Sequence, residues 1–184
     1  MARRETITAD EVNQLLAYNP DTGALTWKAR TPDMFEDGAH SAEHTCAKWN
    51  GRYSGKEAGN VKSSGYRKLS IFNRSFRAPR IIWLLMTGAW PKGEVDHVNL
   101  NKDDNSWSNL RQASRAQNNS NKSARPSESG IKCVRFQKSS GNWLARISVR
   151  GQEIHLGSFD SSEAASRAYA EAAMRFHGEF ARVG

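Results

Sequence analysis

Apolar positions change their spacing several times along this chain, and each change predicts an element. Val12, Leu15 and Leu16 recur at helical intervals behind Thr8-Ala9-Asp10-Glu11, where a threonine three residues ahead of a glutamate can satisfy the first free N–H groups of a helix. That helix is expected to end near Tyr18. Asn19-Pro20-Asp21-Thr22-Gly23 then turns the chain into a strand over Ala24-Leu25-Thr26-Trp27. Thr31 to Gly59 shows no period and reads as a long irregular segment. Tyr66 to Ile71 and Ser75 to Ala78 read as hairpin strands joined through Asn73-Arg74, and Arg80 to Thr87 as a buried helix stopped by Gly88 and Pro91.

The carboxy-terminal third alternates more cleanly. Trp143, Ala145, Ile147 and Val149 interleave with Leu144, Arg146, Ser148 and Arg150, the pattern of a half-buried strand. Gly151 turns the chain, Ile154 and Leu156 continue the buried face on a second strand, and Val134 and Phe136 supply a third. Asp160-Ser161-Ser162-Glu163 caps a helix whose Ala164, Ala165, Ala168, Tyr169, Ala172, Ala173 and Phe176 form one face, small enough to dock closely on a sheet. Asn119 to Ser129, rich in Ser, Asn and basic residues and holding Pro126, reads as a connection. The expected class is α+β. Residues 1–62 form an amino-terminal extension of open role, 63–122 a ββα core, 123–128 a linker, and 129–184 a βββα domain.

Composition narrows the partner. With 184 residues and 38% apolar content, two modest cores are expected. The net charge of +8 favours a polyanion, and its distribution sharpens the case. Seven Lys or Arg and no acid lie between Ala58 and Gly93, and four and none between Asn105 and Ser127. The two cysteines, Cys46 and Cys133, are too far apart for a CxxC site, so no structural zinc and a reducing compartment are expected. The longest apolar run, Ile81 to Met86, is far short of the ~20 residues of a membrane span. The amino terminus lacks an apolar signal core, so a soluble intracellular protein without a membrane partner is expected.

Between the two acid-free stretches lies Val95-Asp96-His97, followed by Asn109 and then Asn118. Nine residues on one helix would place the two asparagines about 180° apart. Ser114-Arg115-Ala116-Gln117 is a second capping box, however, so a helix starts there with Asn118 in its first turn. Leu110 to Ala113 then reads as a strand, with Asn109 in the loop before it and Asp96 and His97 ending the opposing strand. Adjacent strand residues point to opposite faces, so a local twist is needed for these two to converge. Asp96 and the Asn118 carboxamide are hard oxygen ligands suited to one Mg²⁺ or Mn²⁺. His97 can take a proton from water near neutral pH, with Asn109 fixing its tautomer through its side chain or the adjoining backbone. Asn99, Asn101, Asn105, Asn119 and Asn121 read as turn and cap residues. His40, His44 and His177 read as solvent-facing, and Trp83, Trp90 and Trp107 as core.

These residues resemble the HNH homing endonucleases of the ββα-metal fold in their Asp-His…Asn…Asn variant. The likeness runs from about Gly65 to Lys122. It includes Tyr66, Arg80-Ile81-Ile82-Trp83, Gly88-Ala89-Trp90-Pro91, Asp96-His97, Asn101-Lys102-Asp103-Asp104-Asn105, Asn109-Leu110-Arg111, Asn118 and Asn121. The resemblance implies His97 as general base, Asp96 and Asn118 as metal ligands, and Asn109 as the residue that orients His97. Two departures stand out: Pro79 where the family often has His, and Ser106 where it often has Arg, a loop-stabilising or phosphate contact.

Gly130-Ile131, Val134-Arg135, Gly141-Asn142-Trp143, Ala145-Arg146-Ile147, His155-Leu156-Gly157-Ser158-Phe159 and the Ala-rich helix ending at His177-Gly178-Glu179-Phe180-Ala181 are similar to the Apetala/ethylene-response-factor DNA-binding domain. That likeness implies that the open sheet face enters the major groove. The alternation puts Arg135, Gln137, Asn142, Arg146, Ser148, Arg150 and His155 on it, with Glu153 as a repulsive member. The expectation is a phage-encoded, site-specific homing endonuclease in the bacterial cytoplasm. It would act as a monomer on double-stranded DNA with one divalent metal, leaving 3′-hydroxyl and 5′-phosphate ends. The rivals are a DNA-binding regulator with a decayed nuclease core and an RNA-binding structural protein.

Overall fold

In the computed structural model, which describes residues 7–121 and 133–182, the capping box at Thr8 opens helix α1 (Ala9–Leu15). Thr8 Oγ1 accepts from the Glu11 amide at 3.2 Å, and the Glu11 carboxylate accepts from the Thr8 amide at 2.7 Å. The helix stops before the predicted end. Leu16–Tyr18 is strand β1, paired antiparallel with β2 (Leu25–Trp27) so that Leu16 faces Trp27. Leu16 and Leu25 are each 1% exposed, and burial in the hairpin overrides the local helical spacing.

The segment expected to be irregular holds a 3₁₀ turn (Pro32–Met34) and helix α2 (Ala42–Tyr53), capped by Ser41. Its one buried residue is Cys46, so the apolar stripe that periodicity detects is missing. Aromatic contacts hold it instead: Trp49 meets Trp27 edge-on at 5.7 Å, and the Arg30 guanidinium lies 3.8 Å over the Trp49 ring.

Strands β3 (Asn60–Val61), β4 (Arg67–Ile71) and β5 (Arg74–Arg77) form an antiparallel sheet in that order. The β4–β5 turn is Phe72-Asn73, with φ of 49° and 57°, one position earlier than predicted; Arg74 pairs with Ile71. Helix α3 (Ala78–Thr87) follows, with Pro79 in its first turn, where no backbone donor is needed, and Gly88 closing it at φ 72°. Pro79 is therefore a helix-start residue. Strand β6 (Glu94–His97) pairs with β7 (Leu110–Ala113) after a 3₁₀ turn at Trp107–Asn109.

Val12, Leu16, Leu25, Leu69, Ile81, Ile82, Leu84 and Leu110 belong to one buried cluster, so the described part of the amino-terminal extension shares its core with the sheet and α3. Trp83, Trp90 and Trp107 pack against that cluster, as expected of core residues. The chain divides into two compact units, Met1–Gln112 and Ala113–Gly184, at a point inside β7. The linker expected over 123–128 and the Gly130-Ile131 pair lie outside the described residues.

The second unit contains α4 (Arg115–Ser120), strands β8 (Val134–Gln137), β9 (Asn142–Val149) and β10 (Gln152–Phe159) in the antiparallel order β10-β9-β8, and helix α5 (Ser162–His177). Val134, Ala145 and Ile147 pack with Ala165, Tyr169, Ala172 and Ala173. Strict alternation fails at Leu156, which is an extra residue between the pairs His155–Arg146 and Gly157–Ala145. Leu156 still reaches the core, whereas Ile154 is 37% exposed. Phe176, expected on the buried face of α5, is exposed at its last turn. Among the described residues no helix is long and apolar enough to cross a membrane, and the whole is an α+β fold.

Leu25→Ala and Ile82→Ala should each destabilise the first unit by about 2–5 kcal/mol. Chemical denaturation followed by circular dichroism should show both shifting one common transition. A separate transition moved by Leu25→Ala alone would mean that the hairpin has its own core.

Candidate active site

Strand β6 buries two ionisable side chains in succession. Asp96 is 5% exposed and His97 is 3% exposed, and each has a specific partner. Arg111, from β7, places Nε and Nη2 each 3.1 Å from Asp96 Oδ2. His97 Nε2 lies 3.3 Å from Oδ1 of Asn105, which is itself buried. Asn105 Nδ2 donates to Asp103 O at 3.2 Å, which sets the carbonyl end of that amide toward the ring. An acceptor at Nε2 keeps the hydrogen there and leaves Nδ1 as the basic nitrogen.

Asn109, expected to orient the imidazole through its side chain or the adjoining backbone, uses its side chain to hold the loop. Its Oδ1 accepts from the Asn99 amide at 2.9 Å and its Nδ2 donates to Asp104 O at 2.8 Å. Its main-chain oxygen accepts from Val98, the neighbour of His97, at 3.0 Å. Asn109 thus ties both ends of the loop, and Asn105, expected to be a turn or cap residue, meets the ring. Asn99 and Asn101 are turn residues: each side-chain oxygen accepts from the amide two residues on, at 2.8 and 3.2 Å. Ser106 keeps the loop-stabilising role where the resembled family often has Arg. Its Oγ donates to Asp104 Oδ1 at 2.8 Å, and this bond leads the effects that hold the Asp104 carboxyl below its ordinary range.

Burial pushes the His97 pKa below 6.5, only partly offset by the Asn105 bond and by the Asp96, Asp104 and Asp103 charges. Beside the imidazole, at 5.8 Å, stands the Tyr66 ring, with Arg77 at 4.6 Å and Lys102 Nζ at 5.1 Å over it. Two cations therefore flank the aromatic neighbour of the proposed base. The acid-free run from Ala58 to Gly93 was the sequence signal for Arg77, whereas Lys102, Asn105 and Arg111 stand among the residues that carry the family resemblance, with no role assigned to them there.

Asn118 lies on α4, in the second unit, started by the capping box at Ser114. Among the described residues no group of three or more His, Cys, Asp or Glu could hold a metal alone. A carboxylate and a carboxamide are an all-oxygen donor set. It suits a hard cation that takes its remaining ligands from water and phosphate. At Asp96 such a cation would share the carboxylate with Arg111.

In the second unit, the strand register puts Arg135 opposite Leu144, Gln137 opposite Asn142, Arg146 opposite His155 and Ser148 opposite Glu153, all on the face away from α5. Arg150 is the exception. It and Gly151 form the two-residue β9–β10 turn, at φ 52° and 83°, because a tight hairpin that matches strand twist needs left-handed backbone at both positions. Glu153, expected as a repulsive member, accepts from Arg146 Nη1 at 2.9 Å. His40 and His44, expected to be solvent-facing, are exposed and pack against each other at 4.9 Å.

Residues 77–120, the span from the start of α3 through α4, match the family model described as HNH endonuclease. The chain is 37% identical over 59 residues to the AP2-like ethylene-responsive transcription factor TOE2 of Arabidopsis thaliana, covering 32% of this chain and 12% of that protein. It is 42% identical over 45 residues to APETALA2-like protein 2 of Oryza sativa subsp. indica, covering 24% and 10%. The chain thus spans only 12% and 10% of the length of these curated relatives. No solved structure matches. The chain therefore carries an HNH endonuclease segment together with AP2-like sequence.

His97 titration by NMR should have its midpoint below 6.5. The unfolded chain binds this proton at higher pH than the folded one. Stability from this group is therefore present above 6.5 and lost as pH falls through the lowered value. A midpoint at or above 6.5 would show that the carboxylates, not burial, dominate.

Proposed function

We propose that this chain is a site-specific, metal-dependent DNA endonuclease of the phage homing type. The observation that carries the reading is the buried His97, bonded at Nε2 to Asn105 and neighboured by the Asp96–Arg111 pair, within the segment that matches HNH endonucleases. Nδ1 of His97 removes a proton from water, and the resulting hydroxide attacks phosphorus. The P–O3′ bond breaks, the 3′ oxygen takes a proton from solvent, and the ends are 3′-hydroxyl and 5′-phosphate. The Asn105 carbonyl steadies the imidazolium through Nε2–H. Asp96 and Asn118, as the sequence assigns them, would hold one divalent cation, Mg²⁺ or Mn²⁺, which when bound neutralises charge on the phosphoryl and leaving oxygens. Arg77 and Lys102 draw the scissile strand toward Tyr66 and His97.

The βββα module locates the site on double-stranded DNA. Arg135 and Arg146 read guanine edges in the major groove, and Gln137, Asn142, Ser148 and His155 contact bases or phosphates. Arg150, in the hairpin turn, contacts backbone phosphate. A single nuclease core fits a monomer that nicks one strand, working in the bacterial cytoplasm where phage and host DNA meet. One observation favours the rival regulator: Arg111 already engages the carboxylate assigned to the metal.

Supercoiled DNA carrying the phage–host locus should be relaxed or linearised with Mg²⁺ or Mn²⁺ and not with EDTA. His97→Ala should slow this by about 10²- to 10⁴-fold at unchanged DNA affinity. Normal cutting by His97→Ala would overturn the mechanism, and tight binding without cutting by the unaltered protein would favour the regulator. In binding assays across salt, Arg146→Ala should lose about 1–3 kcal/mol and relax preference at one base pair, whereas Arg150→Ala should weaken all sequences alike and lower the salt slope by about 1. Equal behaviour of the two would contradict their assignment to base and phosphate.

A further inference from the structure

The β1–β2 hairpin meets the loop that carries Asn105 at three points. Tyr18 Oη donates to Asn105 O at 2.8 Å, and the Trp107 amide donates to Pro20 O at 2.8 Å. Gly23, at φ +74°, lies so close that a Cβ there would sit 2.5 Å from both Asn105 C and Ser106 N, which are backbone atoms with no freedom to yield. Burial and the Asp104 charge push the Tyr18 hydroxyl up to about 12, so it remains a donor at any physiological pH.

The hairpin is itself held firmly. Leu16 and Leu25 anchor its strands in the core, and Asn19 closes its turn, its Oδ1 accepting from the Asp21 and Thr22 amides at 3.0 and 3.2 Å. From the other side, Asn109 binds the same loop at Asn99 and Asp104. The main chain from which the Asn105 side chain reaches out is therefore held both by this distant hairpin and by Asn109 within the loop. The reach of the Asn105 side chain to His97 is 3.3 Å, at the long end of a hydrogen bond, so a small displacement of the loop breaks the contact. Loss of the acceptor at Nε2 weakens the hold on the Nε2–H form, and a hydrogen moved to Nδ1 leaves that nitrogen unable to take a proton from water.

We propose that Tyr18, Pro20 and Gly23 form a positioning element for the nuclease, fixing the tautomer and orientation of His97 through Asn105 without touching substrate. Its kinetic consequence rests on the nuclease reading above; its effect on the ring does not. The amino-terminal hairpin then becomes part of the catalytic unit, and a chain that lost it would keep His97 but not its alignment.

The test uses the full chain, ¹⁵N-labelled at histidine, with Tyr18→Phe, Gly23→Ala and, as a control, Lys28→Ala. The control loses a bond from the end of the same hairpin to Asn13 O, 2.6 Å long, that is remote from Asn105. Tyr18→Phe should slow single-turnover cleavage of supercoiled DNA roughly tenfold and Gly23→Ala roughly a hundredfold, with DNA affinity unchanged. Both should shift or broaden the Nε2–H imidazole signal of His97, and Lys28→Ala should do neither. Unchanged ring signals and rates in Tyr18→Phe and Gly23→Ala would overturn the proposal, as would equal effects in Lys28→Ala, which would mark a general loss of packing. Should Gly23→Ala fail to fold, Tyr18→Phe decides alone. Should the unaltered protein cut no DNA with either metal, the nuclease reading fails, and the His97 signal still decides the positioning claim.

Discussion

Burying Asp96 and His97 side by side in β6 is the constraint on which the rest of the first unit depends. An unpaired buried charge or polar group is strongly destabilising, so each must be answered by a partner delivered from elsewhere in the chain. Arg111 comes from the next strand. Asn105 comes from a loop with no regular hydrogen-bonding pattern of its own, and that loop is held by side chains that take the place of a ladder: Asn99, Asn101, Ser106 and Asn109 within it, and the β1–β2 hairpin beneath it. The first hydrophobic core, shared from Val12 to Leu110, keeps hairpin and strand in one frame.

The second unit solves a simpler problem. Its sheet needs only one covered face, and the small residues of α5 let helix and sheet approach closely over Val134, Ala145 and Ile147. That leaves the other face to Leu144 and to polar side chains, among which Arg146 and Glu153 bind each other. An exposed ion pair of this kind adds little stability. Its importance is that it restrains one cation of a face otherwise suited to a polyanion.

The proposed function would place different demands on the two units. In the reading proposed above, a hydrolytic site would need a few groups held within fractions of an ångström, and the first unit does surround one imidazole with many loop-fixing bonds. DNA recognition, as proposed for the second unit, would tolerate looser geometry and depend on charge, to which Arg135 and Arg146 on the open sheet face contribute. The match to HNH endonucleases, over residues 77–120, runs past Gln112 into the second unit.

Capping boxes at Thr8 and Ser114, helix α3 with its Pro and Gly ends, and the alternation of β9 were legible in the sequence because they depend on neighbours a few residues away. Asp96, His97 and the spaced asparagines could be picked out for the same reason, as a set of residue types at fixed intervals. Other features were not. The strand at Leu16–Tyr18, the polar helix α2 and the bulge at Leu156 follow from what each segment packs against. The contact of the Asn105 side chain with the imidazole, while the Asn109 side chain holds the loop, is of the same kind. Both are asparagines in one loop, and only the distance across that loop, set by a hairpin some eighty residues away in sequence, decides which amide meets the imidazole. Local spacing determines which chemistry this chain carries; long-range packing determines which atom carries it, because a 3.3 Å contact is a property of the closed core and not of the sequence interval.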